Sequence, residues 1–269
     1  MSDKIVQNGK IHPAVITMWA AVLAASYLVR TWQIQGTGST FSAANILTPL
    51  SGILFGPVAG ALCSAAGGFA GSLIAPDTAW MGLGTFIIGT CSSFTAGCIA
   101  WGSWPLISIN RNGNFIINGG IIIYIFGTVL WFMALWFGGK IERSTVLFPI
   151  VCYGLGFSAM IAGSIISKKI LAGKNPILKW LALWLCAFGG MIGGATIGNF
   201  FALVFFQHTG PYWAYLTVAA PIERAVFSAI TALTAVSLMA GLEKIGIFAG
   251  PQNHEDKKTF TPENINENV

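Results

Sequence analysis

Charge is what this sequence has least of. Only 9% of its 269 residues are Asp, Glu, Lys or Arg, while 55% are hydrophobic. A soluble domain needs about 25% charged residues to hydrate its surface, so a chain this long and this apolar is solvated by lipid. Also missing is the alternation of apolar and polar residues, in segments of about ten, that marks a membrane β-barrel. The apolar runs are instead continuous and mostly about 20 residues long, as a spanning helix requires. In hydrocarbon a helix satisfies its own backbone donors and acceptors. The expected fold is an all-α polytopic integral membrane protein, a bundle of about eight transmembrane helices.

Catalytic signatures are lacking as well. There is no HExxH, no GxSxG elbow, no pair of intramembrane aspartates and no Walker-type phosphate loop. The three histidines, His12, His208 and His254, lie far apart in loops or tails. Five cysteines, at positions 63, 91, 98, 152 and 186, sit singly inside apolar runs with no CxxC pair and no histidine nearby. They read as small packing residues, not metal or redox ligands. An enzyme is not expected, nor a metal site, a cofactor or a nucleic-acid partner. Any ATP dependence would have to come from other subunits.

What is present is a series of apolar runs at 14–29, 43–75, 81–104, 115–138, 146–166, 178–206 and 222–242. The second is too long for one straight span at 1.5 Å per residue. Gly56-Pro57 lies near its middle, and proline removes a backbone donor and clashes with the preceding turn. We therefore divide it in two, giving eight spans within a single membrane domain, 1–249. The polar stretch 250–269 is expected to be a disordered cytoplasmic tail. No small-residue cleavage pattern follows the first run, which reads as a retained helix. The last run follows Pro221, a residue suited to a helix start.

The basic residues agree with this division. With a cytoplasmic amino terminus the inner side receives Lys4, Lys10, Arg111, Lys168, Lys169, Lys174, Lys179 and Lys244. The outer side receives Arg30, Lys140 and Arg143, with Arg224 at the edge of the last span. That asymmetry follows the positive-inside rule, and merging the two short helices would move the Lys168-Lys169-Lys174 cluster outside. Both termini are then cytoplasmic, and the expected location is a prokaryotic plasma membrane.

Small residues recur every four positions along two spans: Gly56, Gly60, Ser64, Gly68 and Ser72, then Gly190, Gly194 and Gly198. Such ladders bare one helix face, so that another helix packs closely or slides against it. The echo of GGFAG (67–71) in GGMIG (189–193) also fits a duplicated four-helix unit or a chance match between glycine-rich helices.

A capture site is expected at the outer ends of the spans. Its candidates are Trp32, Gln33 and Gln35 in the first outer loop, Asn45 just inside the second span, Asp77 and Trp80. The last outer loop adds Gln207, His208, Tyr212, Trp213 and Tyr215. Aromatic rings beside a few polar groups suit a planar, partly polar ligand, although Trp and Tyr also form interfacial belts without one. Glu223 and Arg224 follow Pro221, where a helix amino terminus favours the acid. Arg224 either snorkels or pairs with Asp77, or it meets a substrate carboxylate or phosphate. Asn199, inside the seventh span, needs a partner.

The order of these elements resembles the substrate-binding S component of energy-coupling factor transporters. The resemblance is carried by WAAVLAAS (19–26) and FSAANILTPLSGILFGPVAGALCSAAGGFAGSLIAPD (41–77), with Pro49, Gly52, Gly56-Pro57, Gly60 and Asp77 in the family's order. It covers roughly residues 14–80, with a weaker echo in PIERAVFSAITALTAVSLMAGLEKIG (221–246). The resemblance implies capture of a vitamin or related micronutrient, with a separate transmembrane coupling protein and ATPase subunits supplying power. It also implies docking of the coupling protein on small residues of the first helix, Ala20 with Ala24 or Ala21 with Ala25. S components usually have six spans, so eight implies a six-helix core with a hairpin inserted near 115–167. The other reading of the residues is a self-sufficient secondary transporter or channel, for which the break at Gly56-Pro57 and the internal echo speak.

Overall fold

The computed structural model describes residues 6–7, 10–11, 13–33, 40–79, 81–102, 105–108, 115–139, 141–171, 175–244 and 250–251. Among them are eight α-helices: α1 (Pro13–Ser26), α2 (Ala44–Phe55), α3 (Pro57–Ile74), α4 (Thr85–Trp101), α5 (Gly120–Gly138), α6 (Arg143–Leu171), α7 (Pro176–Phe205) and α8 (Gly210–Lys244). Five of these, α3 and α5 to α8, are long and apolar enough to cross a membrane. The chain is an all-α, multi-pass membrane protein. The other three helices have 14, 12 and 17 residues, or about 21, 18 and 26 Å, against a hydrocarbon core of about 30 Å.

The chain turns where expected at Gly56. This residue adopts φ 84°, open to glycine and strained for other side chains, and Pro57 opens α3 at its first position. Pro57 cannot donate to the carbonyl of Ile53, and the indole Nε1 of Trp101 does so instead at 2.9 Å. The same substitution recurs inside α6. Pro149 leaves the Thr145 carbonyl without its helical donor, and Trp131 Nε1 supplies one at 3.1 Å.

Three expectations are corrected. Pro221 does not start the last helix; it lies inside α8, which begins at Gly210. Membrane helices accommodate such prolines because neighbouring groups satisfy the freed backbone. Secondly, three antiparallel hairpins interrupt the helical pattern: β1 (Val6–Gln7) with β2 (Lys10–Ile11), β3 (Arg30–Gln33) with β4 (Thr40–Ser42), and β5 (Pro105–Ser108) with β6 (Phe115–Asn118). The run expected to be helical from 115 therefore opens as a strand. Thirdly, Gly250 is buried, and its N–H donates to the Leu54 carbonyl beside the Gly56 turn. The tail beyond 251 lies outside the described residues.

The ladders of small residues are where helices meet. α4 packs against α2, α3 and α7. A methyl placed on Gly190 would lie 2.5 Å from Ala96 Cβ, and one on Gly194 would lie 2.6 Å from the Ile88 carbonyl oxygen. Gly60 meets the backbone of α2 in the same way, 2.6 Å from Gly52 Cα. Beyond this seam, Trp131, Phe148, Tyr153 and Trp213 form a closed aromatic cluster, with the two indoles 4.6 Å apart and edge-on. Trp131, Phe148 and Trp213 are fully buried.

Candidate functional site

Short turns join most consecutive helices, so they run antiparallel. The end of α1, the starts of α2, α4 and α8, and the ends of α3 and α7 lie at one end of the bundle. There the helices enclose a cavity of about 580 Å³, inside the 300–1,000 Å³ range of small-molecule sites. Two of the short helices contribute to its wall, α2 with Asn45 and Thr48 and α4 with Ile88, Gly89 and Ser92, and Tyr27, just past the end of α1, joins them. α7 and α8 form the opposite wall with Met191, Gly198, Asn199, Tyr212, Glu223 and Arg224.

Four expected site residues meet here: Asn45, Tyr212, Glu223 and Arg224. Tyr215, also expected near the site, joins them. Arg224 lies fourteen residues past Gly210, about 21 Å along α8, so it sits in mid-helix and not at a span edge. It does not pair with Asp77. Its Nη1 donates to Glu223 Oε2 at 3.0 Å, with the two side chains 19% and 16% exposed. The guanidinium carbon lies 5.4 Å from the centre of the Phe41 ring, a cation–π contact that fixes its position. Since α8 begins at Gly210, Glu223 is not in its first turn.

Other candidates are placed elsewhere. Asp77 forms a bidentate pair with Arg30, both exposed, tying the start of β3 to the 3-10 turn after α3 (Pro76–Thr78). The adjacent guanidinium holds the Asp77 carboxyl below its usual range. Trp213 faces the closed aromatic cluster, not the cavity. His208 packs behind the wall: its ring stacks on Tyr212 at 3.8 Å, and burial pushes its imidazole below the ordinary value. Tyr212, Trp213 and Tyr215 lie on α8 and not in a loop; the turn between α7 and α8 holds Gln207, His208 and Thr209. Trp32 and Gln33 lie on β3; Gln35 and Trp80 lie outside the described residues.

On α1 the two alanine pairs part company. Ala20 and Ala24 are buried, and a methyl on Gly67 of α3 would sit 2.6 Å from the Ala20 carbonyl oxygen. That face is covered within the protein. Ala21 and Ala25 lie on the exposed face with Met18 and Val22.

Several wall residues escape a reading of the sequence. Phe41 and Phe227 meet edge-on at 5.7 Å beside the ion pair. Ser92 is buried, and its hydroxyl has no hydrogen-bond partner among the described residues. Asn199, recognisable as a polar group in an apolar run, lines the cavity and neighbours the Tyr153 hydroxyl. Pro49, inside α2, has no N–H to give the Asn45 carbonyl. Chemically, the arrangement offers stacking faces, dispersed hydroxyl and amide groups, and one ion pair. Among the described residues no cluster of three His, Cys, Asp or Glu could hold a metal ion.

No family model matches the chain, and neither curated proteins nor solved structures give a significant match.

Proposed function

We propose that this chain captures a small solute as the membrane subunit of an energy-coupling factor transporter, taking up a vitamin or related micronutrient at the outer face of a prokaryotic plasma membrane. The observation that carries the reading is the cavity, which gathers Asn45, Tyr212, Glu223 and Arg224 at one end of the bundle. In the orientation favoured by the positive-inside rule that end is external. The stacking rings and few polar groups are what a planar, partly polar molecule needs for orientation and contact area. Power comes from a separate coupling protein and ATPase subunits. The exposed Ala21 and Ala25 face is the surface of α1 available to the coupling protein, since α3 covers Ala20 and Ala24.

One feature favours a second reading, a secondary carrier. Pro221 interrupts the hydrogen-bond ladder of α8 two residues before Glu223, and discontinuous helices at a binding site mark such carriers. Native mass spectrometry of the purified full chain separates the two. A retained vitamin-like species, lost in the Arg224→Gln variant while the fold persists, supports capture. An empty protein that moves solute in proteoliposomes without ATPases overturns capture in favour of the carrier.

A further inference from the structure

Among the described residues, the side chains lining the cavity include two charges, and these cancel. Glu223 and Arg224 face it as a hydrogen-bonded pair, each less than one-fifth exposed. We propose that the cavity selects a planar ligand of zero net charge whose edge carries both a hydrogen-bond donor and an acceptor, as a primary amide does. This inference rests on the capture reading above and adds the charge class of the cargo.

Away from bulk water, charge–charge interactions are several-fold stronger than in solution. An anion reaching Arg224 is repelled by the Glu223 carboxylate next to it, and a cation reaching Glu223 is repelled by Arg224. Neither ion can be neutralised without breaking the existing pair and leaving one partner's charge uncompensated, which is costly in a partly buried site. A neutral group with a carbonyl and an N–H meets both: its oxygen accepts from the guanidinium and its N–H donates to the carboxylate. Such bonds to charged partners are stronger than neutral ones.

Three further features match a neutral, polar-edged ring. The Ser92 hydroxyl is buried, without a hydrogen-bond partner among the described residues, on a residue in the opposite wall. Asn45 adds a side-chain amide, which can both donate and accept, to the cavity wall. Phe41 and Phe227 provide aromatic surface beside the pair.

The test uses three probes of nearly one shape: benzamide, benzoate and benzamidinium. Each is titrated into the purified full chain at neutral pH, followed by calorimetry and saturation-transfer NMR. Benzamide is expected to bind at least tenfold tighter than either ion. Glu223→Gln should make benzoate the preferred probe, and Arg224→Gln should make benzamidinium preferred. Ala219→Leu, which fills the cavity, should abolish binding of all three and so separates the cavity from the micelle. A wild-type preference for either ion, or variants that keep the wild-type order, overturns this inference and leaves capture standing. The wild-type ranking decides the matter even if a variant fails to fold. Binding of none of the probes also overturns it, and native mass spectrometry then decides whether the capture reading falls too.

Discussion

Helices α4 and α7 lie against each other along one stretch and stand apart along the next, and the same kind of residue serves both. In the closed stretch, Gly190 and Gly194 of α7 leave room for Ala96, Ser92 and the Ile88 carbonyl of α4, with no space for a single added methyl. One turn further along α7, Gly198 lines the cavity. A glycine ladder read on its own says that a helix face is bare. Whether a neighbour covers that face depends on what surrounds it. At the cavity end the covering elements are short: α1 and α2 have 14 and 12 residues, and hairpin β3–β4 precedes α2. The space left between the long helices is where Glu223 and Arg224 are held.

Closing or opening either stretch should have unequal effects. The largest is expected for Gly190→Val, which drives a branched side chain into Ala96 and the Ser92 carbonyl. Overpacking typically costs 1–3 kcal/mol; against backbone, about 3 kcal/mol or more is expected. It would be read as loss of monodisperse protein after detergent extraction or a steep fall in unfolding midpoint. Unchanged stability would mean that α4 and α7 are not zipped there. Ala219→Leu, half-buried on the cavity wall, should behave oppositely. It enters open space, so stability should change by less than about 1 kcal/mol, while benzamide binding falls at least tenfold. A large loss of stability with binding intact would remove the contrast between the two stretches.

The contrast also explains how much the sequence revealed. Continuous apolar runs announce membrane helices strongly, and the Gly56-Pro57 break is visible because both residues act through local backbone chemistry. The hairpins are not visible: strands of two to four residues bury too little to leave a pattern. Pro221 misled for a related reason. Proline reads as a boundary, yet α8 continues through it because packing around the helix outweighs one missing hydrogen bond. In the site, sequence position brought Asn45, Tyr212, Glu223 and Arg224, which line one cavity, into consideration. It did not reveal which way each residue faces. Tyr212 and Trp213 are neighbours about 100° apart around the helix; one lines the cavity and the other is locked against Trp131. Ser92 left no signal at all, since a serine in a membrane helix usually bonds back to its own backbone.

The smallest effect is expected at the other ion pair, Arg30 with Asp77, and it sharpens what distinguishes the cavity pair. Both residues are exposed, at 54% and 44%, so their attraction is screened by water and salt. The hydrogen bond and charge of Arg30 lower the Asp77 pKa below its ordinary 3.8. A carboxylate whose folded pKa is depressed contributes stability above its unfolded pKa, and that contribution is lost as pH falls through the folded value. The unfolding midpoint of wild type relative to Asp77→Asn should therefore be flat from neutral pH down to about 4 and converge only below it. Raising salt to about 0.5 M should shrink the difference further, because the screening length falls to a few ångströms. Coupling between Arg30 and Asp77 that survives high salt would mean the pair is enclosed in the membrane-bound protein as Glu223 and Arg224 are, and the distinction between a surface clip and a cavity pair would collapse.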